Sequence, residues 1–161
     1  MSTPSNAAPV SGTPRTDSTQ SAPTARAAPA PVQLPTDQEL VLKVIPMPAD
    51  CNANGDIFGG WVMAQVDLAG SVVPARYTKG RMATVAVKEF IFKQPVRVGD
   101  ILSFFSKVSH IGRTSITVEV EVYAERFLSQ GQYVKVTEAL LTYVAIDDRG
   151  QPREVPPQTK V

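Results

Sequence analysis

Residues 52–69 constrain the fold more than any other stretch, because a polar loop there runs directly into a helix that is apolar almost all round. The loop half is rich in Asn, Asp and Gly, which favour tight turns. From residue 62 to residue 75, only Gln65, Asp67 and Ser71 carry hydrogen-bonding side chains. A helix with so little polar surface belongs in the interior of a protein.

Asp67 is the exceptional residue on this helix, since burying a carboxylate costs several kcal/mol unless hydrogen bonds, a solvated pocket or a function compensates. Gly59 and Gly60, at the helix start, leave the first N–H groups open to a ligand. The positive end of the helix dipole would stabilise an oxyanion there. Asp56 lies just ahead of the glycines and is predicted to cap the helix.

Composition limits the partners of the chain. It has 16 basic and 15 acidic residues, and the basic residues are scattered, so nothing predicts binding to nucleic acid or to an acidic membrane. No run approaches the length of a membrane span. The single cysteine, Cys51, excludes an internal disulfide and a multi-cysteine zinc site. It fits a reducing compartment, and we expect a cytoplasmic protein.

One folded domain is expected between two tails. Residues 1–36 consist mainly of Pro, Ala, Ser and Thr, with almost no large apolar side chain to offset the entropy of ordering. We therefore predict a disordered N-terminal tail, a folded domain over residues 37–156 and a disordered C-terminus over residues 157–161.

The periodicity of the folded part predicts one long helix among strands. The strands are expected over residues 39–45, 84–92, 101–111, 114–127 and 133–146. The helix should end near residues 74–77, where Gly80 then supplies the stop. This order predicts an α+β fold, in which an antiparallel sheet wraps around one central helix. Long strands leave edges, so we expect two copies to pair as a homodimer.

Four stretches of the sequence carry a resemblance to a known family. The sequence MPADCNANGDIFGGW at residues 47–61, with the helix through Asp67 and the segments TEA at 137–139 and YVA at 143–145, resembles the hotdog-fold acyl-CoA thioesterases of the bacterial YciA type. The resemblance covers roughly residues 38–156. It implies a hotdog fold, a dimer whose sheets join edge to edge, and three such dimers in a hexamer. It also implies hydrolysis of acyl-CoA thioesters.

The resemblance assigns roles to individual residues. Asn52 and Asp67 match the catalytic pair of the family, and the backbone at Gly59 and Gly60 matches its oxyanion site. Cys51 departs from the family pattern, in which a threonine stands at this position. Asp67 could act as a general base on water or attack the thioester directly, and the residues do not choose between these roles. The alternative is an aspartate that only satisfies backbone groups.

Asn52 and Asn54 are alternatives for a second polar role. Either side chain could hold the attacking water or donate to the carbonyl oxygen. The motif match favours Asn52 for this role and leaves Asn54 as a residue that forms the turn.

Helix geometry separates the two halves of the expected site. Asp67 lies eight positions beyond Gly59, which is about 12 Å along a helix that rises about 1.5 Å per residue. One small carbonyl cannot reach both. We therefore hypothesise that the acid and the oxyanion donors of one reaction come from different chains of a dimer.

The phosphates of CoA need cationic partners. The turn after Gly112 offers the guanidinium of Arg113, the hydroxyls of Thr114 and Ser115, and free N–H groups. Arg81 is a weaker candidate for the same role. The alternative is that residues 112–115 are an ordinary hairpin tip.

Other functions are less consistent with the sequence. A hydroxyacyl dehydratase on the same fold would pair a histidine with an acid, yet the single histidine, His110, lies outside residues 52–69. Nothing near Cys51 makes it a nucleophile, and nothing grouped with His110 makes a zinc site. A non-catalytic acyl-CoA sensor or carrier has no reason to place Asp67 beside a carbonyl. We expect an acyl-CoA hydrolase that uses no metal and no cofactor, CoA being part of the substrate.

Overall fold

The computed structural model describes residues 32–158, which form five strands and one long helix. In chain order these are β1 (Glu39–Val44), α1 (Gly59–Thr78), β2 (Met82–Phe92), β3 (Ile101–Ile111), β4 (Ser115–Glu125) and β5 (Tyr133–Ala145). A single turn of 3-10 helix, Pro48–Asp50, lies between β1 and α1. The predicted α+β order is confirmed.

The strands make one antiparallel sheet in the order β1-β3-β4-β5-β2. β3, β4 and β5 follow one another as hairpins, whereas β1 and β2 add to opposite edges. α1 lies across one face of the sheet. The residues of β4 that face α1 are buried, namely Ile116, Val118, Val120 and Val122. The intervening residues of β4 point to the other face, as the alternating sequence predicts.

Only one side of α1 is buried within the described chain. Val62, Val66 and Ala69 pack into the core and are at most 1% exposed. On the other side, Met63 is 43% exposed and Leu68 is 60% exposed. The prediction that this helix lies in the interior therefore holds for one side of it. An apolar side left open in this way is typical of an interface.

The C-terminal end of α1 differs from the expectation. The helix continues to Thr78, and the residue with a left-handed backbone is Lys79, at φ 48°, one position ahead of Gly80. The guanidinium of Arg153 donates to the carbonyl oxygen of Thr78 at 2.7 Å. A Cβ on Gly80 would lie 2.7 Å from that guanidinium. Gly80 therefore makes room for Arg153, and Lys79 ends the helix.

The predicted tails lie largely outside the described residues. Of residues 1–36, only 32–36 are described, and they have no helix or strand. The N–H of Val32 donates to the carbonyl oxygen of Tyr133 at 3.0 Å. Residues 157 and 158 have no regular structure, and 159–161 lie outside the described part. Disorder of the tails stays a prediction.

Candidate active site

Asn52 builds the turn that precedes α1. Its Oδ1 accepts hydrogen bonds from the N–H of Asn54 at 2.8 Å and from the N–H of Asp56 at 3.3 Å. The oxygen is thus occupied by the backbone, and these bonds fix the orientation of the amide. The Nδ2 atom has no hydrogen-bond acceptor within residues 32–158 and can donate to a ligand. Asn52 therefore combines a turn-forming role with a free donor.

The prediction that Asp56 caps the helix is wrong. The N-cap is Phe58, and no side chain makes a capping hydrogen bond there. Asp56 instead forms an isolated antiparallel bridge with Arg97, which places its backbone ahead of the helix start. The side chain of Asn54 is exposed and makes no hydrogen bond to the rest of the described chain.

The first two N–H groups of α1, those of Gly59 and Gly60, have no acceptor among residues 32–158. The next two N–H groups donate to the carbonyl oxygen of Phe58, at 3.0 and 3.2 Å. A Cβ on Gly60 would meet nothing within 4 Å, so the space beside it is open. A Cβ on Gly59 would lie 3.1 Å from the ring of Phe92. An oxyanion can approach these two N–H groups at the positive end of the helix.

A cleft of about 330 Å³ opens beside Gly59. Its walls include the apolar side chains of Ile57, Val62, Phe92 and Val96, and Lys93 adds a charge. The cleft can hold an apolar chain close to the N–H groups of the helix start.

Asp67 lies two turns further along α1 and is half-buried. Its Oδ1 accepts a hydrogen bond from the hydroxyl of Thr84 at 2.8 Å. The hydroxyl of Tyr143 lies 3.3 Å from the same oxygen and 2.9 Å from the carbonyl oxygen of Asp67. No backbone N–H donates to the carboxylate, and Oδ2 has no donor, within residues 32–158. The protein therefore orients one oxygen of Asp67 and leaves the other available.

Sequence reasoning missed Thr84 and Tyr143. The two residues pair directly across β2 and β5, and both side chains meet α1 at Asp67. Burial, and then the negative charge of Asp67, raises the pKa of Tyr143, so the phenol keeps its proton and can donate. The YVA motif at 143–145 contained Tyr143, but only the strand register reveals what the hydroxyl contacts.

The residues predicted to bind CoA lie at the same end of the sheet as Asp67. Ser115 begins β4 and pairs with Val144, next to Tyr143 on β5. Thr114 accepts a hydrogen bond from the N–H of Ala145 through its carbonyl oxygen, at 2.9 Å. The turn before β4 is therefore close to the start of β2 and the end of β5.

The side chains of Arg113 and Arg81 differ in their exposure and in their hydrogen bonds to the rest of the described chain. The side chain of Arg113 is 79% exposed, and its contact with Glu154 at 3.2 Å is between two exposed groups. The guanidinium of Arg81 donates to the carbonyl oxygens of residues 147 and 148, at 3.2 and 3.0 Å. Arg113 is therefore available to an anion, whereas Arg81 braces the loop after β5.

Within one chain, the two halves of the predicted site lie apart. Gly59 lies against Phe92 at the end of β2, whereas Asp67 bonds to Thr84 near its start. Thr84 and Phe92 are eight positions apart and lie near opposite ends of β2. The structure thus places Asn52, Gly59 and Gly60 at one end and Asp67 at the other.

Residues 32–158 contain no group of three or more His, Cys, Asp or Glu side chains placed to hold a metal ion. No helix in this part of the chain has the length and apolar composition needed to cross a bilayer.

Comparison with known proteins identifies the family. The Thioesterase superfamily matches residues 54–126, which run from the loop through α1 to β4. The acyl-CoA thioester hydrolase YciA of Salmonella typhimurium is 46% identical over 122 residues, which cover 74% of this chain and 92% of that protein. The chain belongs to the thioesterase superfamily. The resemblance carried by the motif at residues 47–61 is therefore confirmed.

Solved structures place this thioesterase-superfamily chain in the hotdog fold. The hexameric thioesterase of Yersinia pestis has a TM-score of 0.72 and 44% identity, covering 78% of this chain and 100% of its own. The hexameric hotdog fold thioesterase of Campylobacter jejuni has a TM-score of 0.69 and 42% identity, covering 73% of this chain and 90% of its own. The predicted sheet wrapped around one helix is this fold.

Proposed function

We propose that this chain hydrolyses acyl-CoA thioesters to a free fatty acid and CoA. The observation that carries the proposal is the Asp67 carboxylate: the Thr84 hydroxyl donates to one of its oxygens, and the other oxygen has no donor within residues 32–158. The 46% identity to an acyl-CoA thioester hydrolase supports the same conclusion. Because a CoA thiolate is a good leaving group, the reaction needs little more than a polarised carbonyl and a nucleophile.

Asp67 supplies either the general base or the nucleophile. As a base, it takes a proton from water as the water oxygen attacks the carbonyl carbon. As a nucleophile, its oxygen attacks that carbon directly, and water then hydrolyses the resulting anhydride. In both routes the C–S bond breaks with its electron pair on sulfur. Both routes also need an ionised carboxylate aimed at the carbonyl carbon.

The helix start polarises the carbonyl. The N–H groups of Gly59 and Gly60, with the Nδ2 of Asn52, are donors without protein acceptors in the described chain. They can stabilise the negative charge that develops on the carbonyl oxygen in the transition state. The cleft beside Gly59 then receives the acyl chain.

A dimer formed through β2 brings the separated halves together. β2 is an edge strand with no partner on its outer side within residues 32–158, and Val85, Val87 and Ile91 on it are 57%, 46% and 45% exposed. Two β2 strands that pair antiparallel across a two-fold axis place the start of one beside the end of the other. Asp67 of one protomer then faces Gly59 of the other.

Assembly and CoA binding extend the proposal. The relatives from Yersinia pestis and Campylobacter jejuni are hexameric, and we propose three such dimers here. Arg113, Thr114 and Ser115 would hold the CoA diphosphate at the sheet end next to Asp67, with Arg81 bracing the neighbouring loop. The chemistry requires no cofactor. A cytoplasmic location stays a prediction.

Release of free thiol from a series of acyl-CoA substrates tests the function. We expect release by the wild type and at least about 100-fold less by Asp67→Asn, which keeps the shape of the side chain but loses its charge. Substrate binding by the variant should persist. A wild type that binds acyl-CoA but releases no more thiol than Asp67→Asn would instead be a non-catalytic sensor or carrier.

A further inference from the structure

Tyr143 brings a polar group into the core beneath α1. The residue is 1% exposed, and its ring is packed in the central hydrophobic cluster. A buried hydroxyl needs a hydrogen-bond partner, and Asp67 offers two acceptors, its carbonyl oxygen at 2.9 Å and Oδ1 at 3.3 Å. The hydroxyl has one proton, so it donates to the carboxylate or to the carbonyl oxygen of the same residue.

Gly70 makes this approach possible. It lies three positions beyond Asp67 on α1 and is therefore on nearly the same face of the helix. A Cβ on Gly70 would lie 2.6 Å from the Tyr143 hydroxyl oxygen, closer than real Cβ contacts allow, and 3.3 Å from Val120. The backbone at Gly70 is helical, so no left-handed φ requires a glycine. A glycine in the interior of a helix is destabilising, so its presence here needs another reason. The space that it leaves for the Tyr143 hydroxyl supplies this reason.

We propose that Tyr143 and Gly70 position the Asp67 carboxylate for catalysis: the hydroxyl fixes the carboxylate from the core side, and the glycine admits the hydroxyl. The inference rests on the proposed function, in which Asp67 is the base or nucleophile. Thr84 fixes the same carboxylate oxygen from the exposed edge strand. Tyr143 is the more rigid of the two partners, because its ring is locked in the core.

The surroundings of Asp67 make its hydrogen bonds decisive. Within residues 32–158, no cationic side chain forms an ion pair with it. The hydrogen-bonding groups that face it from packed elements are Thr84 on β2 and Tyr143 on β5. Of these two, only Tyr143 titrates. Tyr143 and Thr84 therefore orient the carboxylate, and removal of either hydroxyl breaks no salt bridge.

Tyr143→Phe tests the proposal because it removes the hydroxyl and keeps the ring. We expect kcat for thiol release to fall about 10-fold, as for one hydrogen bond to a charged group, with KM nearly unchanged. A fall in kcat without a rise in KM distinguishes a misoriented carboxylate from weaker substrate binding. Tyr133→Phe is the matched control, since its hydroxyl lies 3.3 Å from Glu125 at the other end of β5. It should leave kcat and KM unchanged.

Gly70→Ala and the double variant test the steric part. Gly70→Ala should lower kcat at least as much as Tyr143→Phe, because the new methyl group displaces the hydroxyl. In the Tyr143→Phe background the same change should have no further effect on kcat, since the 2.6 Å contact is gone. Losses that multiply in the double variant would overturn the proposal.

The outcomes separate this inference from the proposed function. A wild type that releases no thiol contradicts the function itself. An active wild type whose Tyr143→Phe variant keeps its kcat contradicts only the positioning role. If Gly70→Ala does not fold, the comparison of Tyr143→Phe with Tyr133→Phe decides the matter alone.

Discussion

The hydroxyl of Thr84 donates a 2.8 Å hydrogen bond to Oδ1 of Asp67. Thr84 is exposed and lies on β2, the strand that forms the proposed dimer contact. Tyr143, which also reaches Asp67, is buried on β5. The carboxylate of Asp67 therefore lies between the edge strand β2, which a dimer would cover, and the core of its own chain. Dimer formation through β2 would cover the exposed half of this arrangement.

Thr84→Val replaces the hydroxyl with a methyl group of similar size. We expect kcat to fall about 10-fold, because the carboxylate loses its shorter hydrogen bond, while the melting temperature changes little at this exposed position. Steady-state thiol release and thermal unfolding measure the two effects. The control is Thr117→Val on β4, whose hydroxyl makes no hydrogen bond within residues 32–158. Equal rates for Thr84→Val and the control would remove Thr84 from the mechanism.

Asn52→Asp separates the two roles of this residue. The variant keeps an oxygen to accept from the N–H groups of Asn54 and Asp56, so the turn and the stability should persist. It loses the Nδ2 donor and adds a negative charge. We therefore expect turnover to fall by about 10-fold or more.

Asn54→Asp provides the matched control, because the Asn54 side chain is exposed and makes no hydrogen bond in the described chain. Its turnover should stay within about twofold of wild type. If the control loses activity and Asn52→Asp does not, the donor role belongs to Asn54.

The free energy of unfolding should decrease at acidic pH, in part because of ion pairs on the sheet face opposite α1. Lys135 contacts Glu121 at 2.8 Å and Glu138 at 2.7 Å. Burial raises the pKa of Glu121, but hydrogen bonds from Lys135 and Tyr123 outweigh this and lower the pKa overall. Hydrogen bonds from Lys135 and Lys93 lower the pKa of Glu138. Both folded-state pKa values thus lie below the unfolded ones.

The lowered pKa values of Glu121 and Glu138 determine the pH range in which these ion pairs stabilise the fold. The unfolded chain binds more protons as the pH falls, so the contribution is complete above the usual glutamate pKa of about 4.3 and is lost at lower pH. Lys135→Met should lower the free energy of unfolding by about 1 kcal/mol or less at pH 7, and the difference should vanish near pH 3. Urea unfolding at both pH values measures it. Lys43→Met is the control, because it removes no ion pair within residues 32–158, and its effect on the free energy of unfolding should not depend on pH. If the effect of Lys135→Met is the same at both pH values, the ion pairs of Lys135 are not the source of the acid sensitivity.

The fold could be predicted because its signals are local. The alternation of apolar and polar residues in β4 predicts a strand and identifies its buried face. The apolar residues on both sides of α1 predict a helix, and neither prediction requires knowledge of distant contacts. The end of α1 was predicted wrongly because Gly80 does not end the helix but leaves room for Arg153. Arg153 lies 73 positions further along the chain, so the local sequence does not reveal this contact.

The candidate site could be predicted only where residues are close in sequence. Asn52, Gly59, Gly60 and Asp67 all fall in one loop and one helix. Thr84 and Tyr143 could not be assigned, because their meeting depends on the register of β2 against β5. That register shifts near Thr84 and again between Lys88 and Ile91. Local sequence does not determine where such irregularities fall.

Each active site is expected to be shared between two chains. Asn52 stays with the helix start, because the N–H of Phe58 donates to the carbonyl oxygen of Asp50 at 2.9 Å and fixes the loop against it. Asp67 lies about 12 Å further along the axis. One reacting carbonyl can therefore contact Asn52 of one protomer and Asp67 of the other.

Mixing differently tagged Asp67→Asn and Asn52→Asp chains, each strongly impaired alone, tests this directly. In a heterodimer with shared sites, one site receives both substitutions and the other receives neither, so purified heterodimers should recover up to about half of wild-type activity. Heterodimers of wild-type and Asp67→Asn chains set the value for one intact site. If the mixed heterodimers remain as slow as their parents, Asn52 and Asp67 serve one site within a single chain. The substrate would then have to span the helix turns between them.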